Sequence, residues 1–319
     1  MDNVFLAQKI ISIAPMLKLT DRHFRYILRQ ISQEAVLYTE MVPANAIACG
    51  KGLHLFDYNK EEKPLVLQLG GNNPEIMAQA AAIAEEYGYN EININAGCPS
   101  DRVAGAGLFG AALIKEPQLL ANIFKKMQQS CSIPVTIKTR IGIRPNDSYD
   151  DLKQFIEILS EAGCHTFIIH ARSAVLHKLS PKQNRKVVPL RPEIVYRLKQ
   201  EKPNLKIIIN GGVKTKEEVF NHLQFVDGVM IGEGIYKNPM LLADIYGVSK
   251  TRYEIVENTV SYMEQMAALG IRPKYVLRHL MGLFYATPYA KDWKKHLTLF
   301  SKLDNVDKNK LLDITAEFI

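Results

Sequence analysis

The segment EININAGCPSD, residues 91–101, combines the pattern of a β-strand with an abrupt stop. Its first half alternates apolar residues with asparagines at the two-residue period of a strand, and Gly97 and Pro99 then end the strand. Cys98 is therefore expected at the carboxyl end of a strand, in a connection that a ligand can approach. An unpaired cysteine is equally often a small buried apolar residue, and this segment alone leaves both interpretations open.

Similar strand-like runs recur on both sides of this segment, with helical patterns between them. They cover 10–16, 35–41, 65–70, 91–96, 135–140, 166–172, 206–210 and 228–231. Most are short continuous apolar runs, which are typical of parallel strands covered on their outer face. Eight strand-helix units predict an α/β fold, a TIM (β/α)8 barrel, over residues 1–248. A doubly wound open sheet is the alternative, but no GxGxxG motif follows the first strand.

Only helical patterns follow the eighth unit. Apolar residues recur at helical spacing over 253–269, 276–284, 293–303 and 307–318. The sequence therefore predicts a small C-terminal all-helical domain, residues 249–319, after the barrel.

The composition is that of an ordinary globular protein, with 319 residues, 47% hydrophobic and 23% charged. The four cysteines lie far apart without CxxC spacing, which argues against a zinc site or a disulfide framework and fits a reducing cytoplasm. No apolar run reaches the roughly 18 residues that a membrane span needs, and the start of the chain lacks a basic leader pattern. We expect a cytoplasmic monomer that does not bind membranes.

The positive charge is concentrated in one connection. Nine Lys or Arg residues lie between Arg172 and Lys202 against two acidic residues, an excess equal to the net charge of +7 of the whole chain. Such a cluster indicates contact with a polyanion, although a well-solvated loop is the alternative. In the helical region, Arg278, Lys294 and Lys295 could also contact phosphates.

Polar side chains end five of the predicted strands, where packing alone would continue the apolar run. They are Gln68, Asn95, Lys138 with Arg140, His170 with Arg172, and Asn210. The carboxyl ends of barrel strands share one rim, where active sites form. A lysine buried in that rim is costly without an anionic partner, so the pattern predicts a ligand. No carboxylate or second histidine accompanies His170, and no metal site is predicted.

Glycines follow the last two predicted strands. Gly211 and Gly212 follow the seventh strand and Gly232 the eighth, where barrels commonly bind a phosphate with backbone N–H groups. The apolar run Ala14, Pro15 and Met16 could form a floor beneath a flat ring. Amide and lysine donors around such a floor suit flavin mononucleotide (FMN), whose ring carbonyls accept hydrogen bonds and whose N1 region gains negative charge on reduction.

Eight motifs in chain order carry a family resemblance. They are Ala14-Pro15-Met16, Thr20-Asp21-Arg22, Tyr38-Thr39-Glu40-Met41, Gln68-Leu69-Gly70-Gly71, Asn95-Ala96-Gly97-Cys98-Pro99-Ser100, Lys138-Thr139-Arg140, His170-Ala171-Arg172 and Asn210-Gly211-Gly212. Together they resemble the flavin-dependent tRNA-dihydrouridine synthases over nearly the whole chain. The segments 179–185 and 276–280 are similar to the A subfamily, which reduces uridine in the D-loop of tRNA, at positions of the 20/20a type.

The resemblance implies FMN as cofactor, NADPH as reductant and tRNA as partner. The implied cofactor contacts are Ala14, Pro15, Met16, Gln68, Lys138, His170, Asn210, Gly211, Gly212, Gly232 and Glu233. The implied substrate and tRNA contacts are Asn95, Arg140, Arg172, Lys182, Gln183, Asn184, Arg185, Lys186, Arg278, Lys294 and Lys295. In the implied reaction, reduced FMN gives a hydride to C6 of uracil and Cys98 gives a proton to C5.

Two positions depart from the family pattern. Glu233 stands where an arginine that contacts the phosphate is usual, and the loop 104–107 reads Ala-Gly-Ala-Gly where relatives carry larger polar residues. Both departures predict weaker binding of flavin or tRNA. The departures leave open a partly degenerate relative that only binds RNA. An FMN barrel that acts on a free pyrimidine also stays open, because it would explain the polar strand ends and Cys98, although not the basic connection.

Overall fold

The computed structural model describes residues 6, 8–48, 50, 52–99, 109–144, 147–176, 179–303 and 306–319. The departure at 104–107 and the residues Cys49, Ser100, Asp101 and Lys178 lie outside the described residues. Within those ranges, no helix has the length and apolar character required to cross a membrane.

Eight parallel strands form one sheet that closes on itself. They are β1 (Ile10–Ile13), β2 (Leu37–Pro43), β3 (Leu65–Gly70), β4 (Glu91–Ala96), β5 (Val135–Arg140), β6 (Thr166–His170), β7 (Lys206–Asn210) and β8 (Gly228–Ile231). Strands β2 to β8 are neighbours in sequence order, and β1 pairs with β8. The N–H of Ile13 donates to the Val36 carbonyl at 2.9 Å, and the N–H of Val36 donates to the Ile11 carbonyl at 2.9 Å. These bonds join β1 to the start of β2, and the predicted α/β TIM barrel is confirmed.

Helices surround the barrel and continue after it. The α-helices of the described residues are α1 (Arg22–Ile31), α2 (Ala44–Ala48), α3 (Pro74–Glu86), α4 (Pro117–Ser130), α5 (Tyr149–Glu161), α6 (Pro181–Lys186), α7 (Pro192–Glu201), α8 (Lys216–Leu223), α9 (Glu233–Lys237), α10 (Leu241–Tyr246), α11 (Arg252–Ala268), α12 (Lys274–Leu277), α13 (Ala290–Phe300) and α14 (Lys308–Glu317). Short 3-10 helices cover Leu53–Phe56, Lys60–Glu62, Gly110–Lys115 and Arg278–Leu280. Each helix can pack on the sheet through one apolar face. In α5, for example, the buried residues recur at the i, i+3, i+4, i+7 spacing of a single helix face.

The connection after β6 and the segment 276–284 differ in type of structure from the sequence prediction. The basic connection after β6 contains the short helix α6, because the Ser180 and Gln183 side chains cap its first turn reciprocally. The single helix expected over 276–284 is instead α12, a 3-10 turn and a series of turns. A Cβ on Gly282 would lie 2.6 Å from the Lys237 carbonyl oxygen, so close backbone contact with α9 fixes the chain there.

The apolar core has an inner and an outer part. Inside the barrel, Ala14, Tyr38, Val66, Ile168, Ile208 and Met230 form a small cluster. A much larger cluster fills the space between strands and helices and continues into α11, α13 and α14. The Tyr262 hydroxyl of α11 lies 2.8 Å from Nδ1 of His23 on α1, which adds a polar contact between barrel and C-terminal helices. The predicted boundary at residue 248 falls between α10 and α11 and stays a prediction, since the cluster crosses it without a break.

Candidate active site at the barrel mouth

The Cys98 loop follows β4 at the barrel mouth, by which we mean the carboxyl ends of the strands. The Oδ1 atom of Asn95 accepts hydrogen bonds from the N–H groups of Gly97 at 3.1 Å and Cys98 at 2.9 Å. The Nε atom of Arg140 donates to the Gly97 carbonyl at 2.8 Å, so neighbouring strands hold the loop from two sides. Cys98 is partly exposed. The alternative of a buried apolar cysteine therefore does not apply to it.

The other described cysteines have a different environment. Cys131 and Cys164 are both buried. Burial raises the pKa of Cys131 to about 11 and that of Cys164 to about 12, so both remain protonated thiols at neutral pH. Among the described cysteines, Cys98 alone combines partial exposure with a place at the barrel mouth.

Lys138, His170 and Asn210 lie side by side on the rim. The strand register pairs Asn95 with Lys138, and His170 with both Arg140 and Asn210. The Lys138 ammonium donates to Oδ1 of Asn210 at 3.1 Å, and Nδ2 of Asn210 donates to the Met230 carbonyl at 2.8 Å. Packing therefore brings together side chains from four predicted strands.

Cations crowd this rim. Burial, with Arg140 as the next cause, lowers the pKa of Lys138 to about 7. Burial also holds the pKa of His170 well below its ordinary value, with Arg140 and Lys138 adding to the effect. A Cys98 thiolate would raise the pKa of both Lys138 and Arg140, so the thiol lies close enough to interact electrostatically with both cations. An anion bound at the rim would relieve this repulsion.

Glycines allow close backbone packing at the same rim. Gly211 and Gly212 have φ angles of 123° and 79°, in the left-handed region that glycine adopts without strain. A Cβ on Gly211 would lie 2.7 Å from the ring of His170. A Cβ on Gly232 would lie 3.4 Å from the Ala14 side chain and 3.5 Å from Sδ of Met16, so the ends of β8 and β1 adjoin. Bare backbone therefore borders the apolar floor predicted from the sequence.

Comparison with known proteins identifies the family. A protein-family model described as dihydrouridine synthase (Dus) matches residues 12–318. The chain belongs to the dihydrouridine synthase family. It is similar to proteins named tRNA-dihydrouridine(20/20a) synthase from three organisms. Identity is 48% over 295 residues for Synechocystis sp., covering 90% of this chain and 88% of that protein. It is 50% over 296 residues for Vibrio parahaemolyticus, covering 90% of each, and 48% over 308 residues for Escherichia coli, covering 94% of this chain and 92% of that protein.

A solved structure supports the fold alone. A 2-naphthoyl-CoA reductase in complex with 2-naphthoyl-CoA superposes with a TM-score of 0.56 at 8% identity, covering 74% of this chain and 50% of that chain.

Enzymes of the dihydrouridine synthase family depend on a flavin. The residues of this member fit a phosphorylated flavin in two respects. Lys138 and Arg140 form no ion pair with a carboxylate among the described residues, although burial makes each charge costly. The residues after β7 and β8, where barrels commonly bind a phosphate through backbone N–H groups, are glycines without a side chain to shield those groups.

Gln68 and Asn95 form hydrogen bonds inside the barrel that the sequence does not predict. Nδ2 of Asn95 donates to Oε1 of Gln68 at 2.8 Å, and Nε2 of Gln68 donates to Oδ1 of Asn93 at 2.8 Å. Both amides are buried, and their predicted contacts with substrate and flavin stay predictions. Asn93 and its partner Thr136 were not predicted as site residues. The sequence did contain a signal for them, because each is a polar residue at an inward-facing position of a barrel strand that is otherwise apolar.

Helix α6 carries the residues predicted to contact tRNA after β6. Lys182, Gln183, Arg185 and Lys186 are exposed. Asn184 is fully buried, and its Nδ2 donates to the carbonyls of Val175 at 3.1 Å and Leu179 at 2.9 Å. Its amide therefore shapes the loop before α6, while its neighbours present their side chains to solvent.

Glu233, the departure from the family pattern, forms an ion pair. Its Oε1 accepts from Nε of Arg185 at 2.8 Å, and both side chains are 44% exposed. The negative charge of Glu233 also raises the pKa of Arg172, although burial lowers that pKa overall. The Arg172 guanidinium donates to the Val188 carbonyl. Arg185, a cation of the basic connection, thus balances the negative charge of Glu233, which is expected near the phosphate.

The remaining predicted tRNA contacts have unequal exposure. Lys294 and Lys295 are exposed on α13. Arg278 forms an ion pair with Asp21, the residue that caps α1, and donates to the Lys18 carbonyl at 3.0 Å. Arg140 is 4% exposed, so the structure shows it as a brace of the Cys98 loop. The predicted tRNA contacts of Arg278 and Arg140 stay predictions.

Proposed function

We propose that this protein reduces uridine to 5,6-dihydrouridine at positions 20 and 20a of tRNA. The observation that carries the proposal is the partly exposed Cys98, fixed by Asn95 and Arg140 at a cationic barrel mouth. Relatives with the name tRNA-dihydrouridine(20/20a) synthase, about half identical over nine-tenths of the chain, support this substrate.

FMN is the proposed cofactor and NADPH its reductant. Gly211, Gly212 and Gly232 would hold the phosphate, and Lys138, His170 and Asn210 would hold the ring. When bound, the flavin supplies the hydride that adds to C6 of the uracil.

The protein supplies the proton and the electrostatic environment. Hydride addition at C6 places negative charge on the enolate and on C5, and the thiol of Cys98 donates its proton to C5. Arg140, and Lys138 when protonated, stabilise negative charge at the rim, since little water screens them there. Because the reacting base must enter the barrel mouth, the uridine has to leave the tRNA stack.

The basic surface, formed by Lys182, Arg185 and Lys186 of α6, would bind the tRNA backbone. Its side chains are exposed and lie on the connection that follows the His170 strand. Phosphate contacts position a nucleic acid without reading its sequence. The basic surface would thus hold the tRNA while the barrel mouth receives the base.

A direct assay tests the proposal. The purified protein with FMN and NADPH is incubated with unmodified tRNA or with free uridine, and dihydrouridine is measured by nucleoside mass spectrometry and mapped along the tRNA. We expect product at positions 20 and 20a and none from free uridine. Equal turnover of free uridine would favour the free-pyrimidine oxidoreductase, and tRNA binding without flavin uptake or product would favour the degenerate relative.

The double variant Lys182→Gln with Lys186→Gln should weaken tRNA binding. Each lost phosphate contact lowers the slope of log K against log salt by about 0.7–0.9, so two contacts lower it by about 1.5. Binding titrations at several salt concentrations measure this slope. Lys125→Gln, an exposed lysine on the outer helix α4, is the control and should leave the slope unchanged. A slope equal to that of the unmodified protein would exclude the basic surface as the tRNA contact.

Glu233→Gln should tighten FMN binding about threefold. A like charge within about 8 Å of a phosphate costs roughly 0.5–2 kcal/mol, depending on screening. Flavin fluorescence titration measures the Kd, and the gain should shrink at high salt. Glu193→Gln, an exposed acid in the first turn of α7, is the matched control. An unchanged Kd for Glu233→Gln would place the phosphate away from Glu233.

A further inference from the structure

A column of hydrogen bonds runs through the barrel interior and ends at the Cys98 loop. We call Glu91, Thr136, Asn93, Gln68 and Asn95 the polar column. The Thr136 hydroxyl donates to Oε1 of Glu91 at 2.7 Å, and Nδ2 of Asn93 donates to the Thr136 oxygen at 2.9 Å. Gln68 links Asn93 to Asn95 with two bonds of 2.8 Å. The backbone N–H of Cys98 donates to Asn95 and completes the column.

Every bond of the polar column points in the same direction. The backbone N–H groups of Gly97 and Cys98 can only donate, which requires the oxygen of Asn95 to face them. Burial raises the pKa of Glu91, while its hydrogen bonds with Thr136 and Tyr38 act in the opposite direction. In its ionised form the carboxylate can only accept, and the Thr136 hydroxyl then donates to it. The two ends therefore impose the same orientation on the three amides between them.

Burial makes this orientation difficult to reverse. Asn93 is 0%, Gln68 1% and Thr136 2% exposed, so water cannot replace a lost partner. If one amide turned over, an oxygen would face an oxygen and an N–H group would face an N–H group. The Tyr38 hydroxyl also donates to Oε1 of Glu91, at 3.3 Å, and strengthens the acceptor end. The end of the polar column at Glu91 thus determines the orientation of the Gln68 and Asn95 amides.

We propose that Glu91, Thr136 and Asn93 are positioning residues for the reaction at Cys98. None of them lies on the rim where substrate binds. They act through the amides of Gln68 and Asn95, which hold the backbone of the Cys98 loop and so place its thiol. The predicted effect on turnover rests on the proposed function, whereas the predicted effect on the Cys98 loop does not.

Thr136→Val tests the proposal, because valine keeps the shape but neither donates to Glu91 nor accepts from Asn93. A misplacement of about 1 Å can lower a rate about 10²-fold, so we expect kcat for dihydrouridine to fall at least about tenfold. The Kd for tRNA should stay within about twofold, because the basic surface is unchanged. The rate of Cys98 alkylation by iodoacetamide, followed by peptide mass spectrometry, should rise about threefold or more as the loop loosens.

Two comparison variants separate positioning from general destabilisation. Thr136→Ser retains the hydroxyl and should restore both kcat and the alkylation rate. Thr259→Val makes the same change at a fully buried threonine of α11, whose hydroxyl donates to the Ile255 carbonyl at 2.6 Å. It should lower stability to a similar extent without changing either readout at Cys98.

A second site in the column keeps the test decisive if Thr136→Val does not fold. Asn93→Asp keeps the shape but replaces the donor to Thr136 with an acceptor, and should reproduce the loss of kcat and the faster alkylation. Unchanged alkylation of Cys98 in the folded variants would overturn the proposal. If the unmodified protein forms no dihydrouridine, the proposed function fails, while the alkylation rates still decide the role of the polar column.

Discussion

Cys98→Ala is expected to lower kcat for dihydrouridine formation by about 10²–10⁴-fold, the usual contribution of a positioned general acid. The change removes the one described thiol that is both partly exposed and fixed at the barrel mouth. Binding of FMN and tRNA should stay within about twofold, because the backbone bonds of Cys98 do not involve its side chain. Single-turnover assays with tRNA and separate binding titrations measure the two quantities.

Cys131→Ala is the matched control for this prediction. Its side chain is buried on the outer side of the barrel, where the thiol donates to the Met127 carbonyl at 3.3 Å. We expect a small loss of stability and unchanged turnover. Full turnover in Cys98→Ala would require a different proton donor and would remove the role assigned to the Cys98 loop.

Glu62→Gln is expected to lower the free energy of unfolding by about 3–5 kcal/mol, because it leaves the charge of Arg25 buried without its partner. Glu62 is 0% exposed and Arg25 4%, and a short ion pair joins them. Burial raises the pKa of Glu62, while Arg25 and the N–H of Asn59 act in the opposite direction. Chemical denaturation at neutral pH measures the loss.

Glu75→Gln makes the same substitution in an exposed ion pair. Glu75 lies 2.7 Å from the ammonium of Lys126, with side-chain exposures of 68% and 41%. Solvent screens such pairs, and the expected change is within about 1 kcal/mol. A similar loss in both variants would mean that burial does not set the strength of the Arg25 pair.

The strands were predictable because their signal is local. The runs at β3, β4, β5, β7 and β8 have the bounds predicted, since continuous or alternating apolar residues bordered by turn residues leave little freedom. Strand β2 lies two residues later than predicted and contains a register shift between Tyr38 and Met41. Such a bulge depends on the pairing of two strands and leaves no clear trace in either strand alone.

The site was predictable in its position and less so in its contacts. Lys138, His170 and Asn210 stand on one rim because they end neighbouring strands, and strand ends follow from the sequence. Asn184 lies in a basic stretch that is typical of a surface, yet it is buried by the loop before it. The pairing of Glu233 with Arg185 joins residues 48 positions apart, and no local pattern encodes that contact.

The apolar cluster that passes from the barrel into α11, α13 and α14 also limits how this protein can choose among uridines. Lys294 and Lys295 lie on α13, which shares this cluster with the barrel. As the proposed tRNA contacts, they would bind phosphates at a distance from the thiol that packing sets. In the proposed function, the distance between the bound tRNA phosphates and the Cys98 thiol is therefore nearly constant. A uridine far from positions 20 and 20a is therefore not expected to reach the thiol, whatever its neighbouring bases.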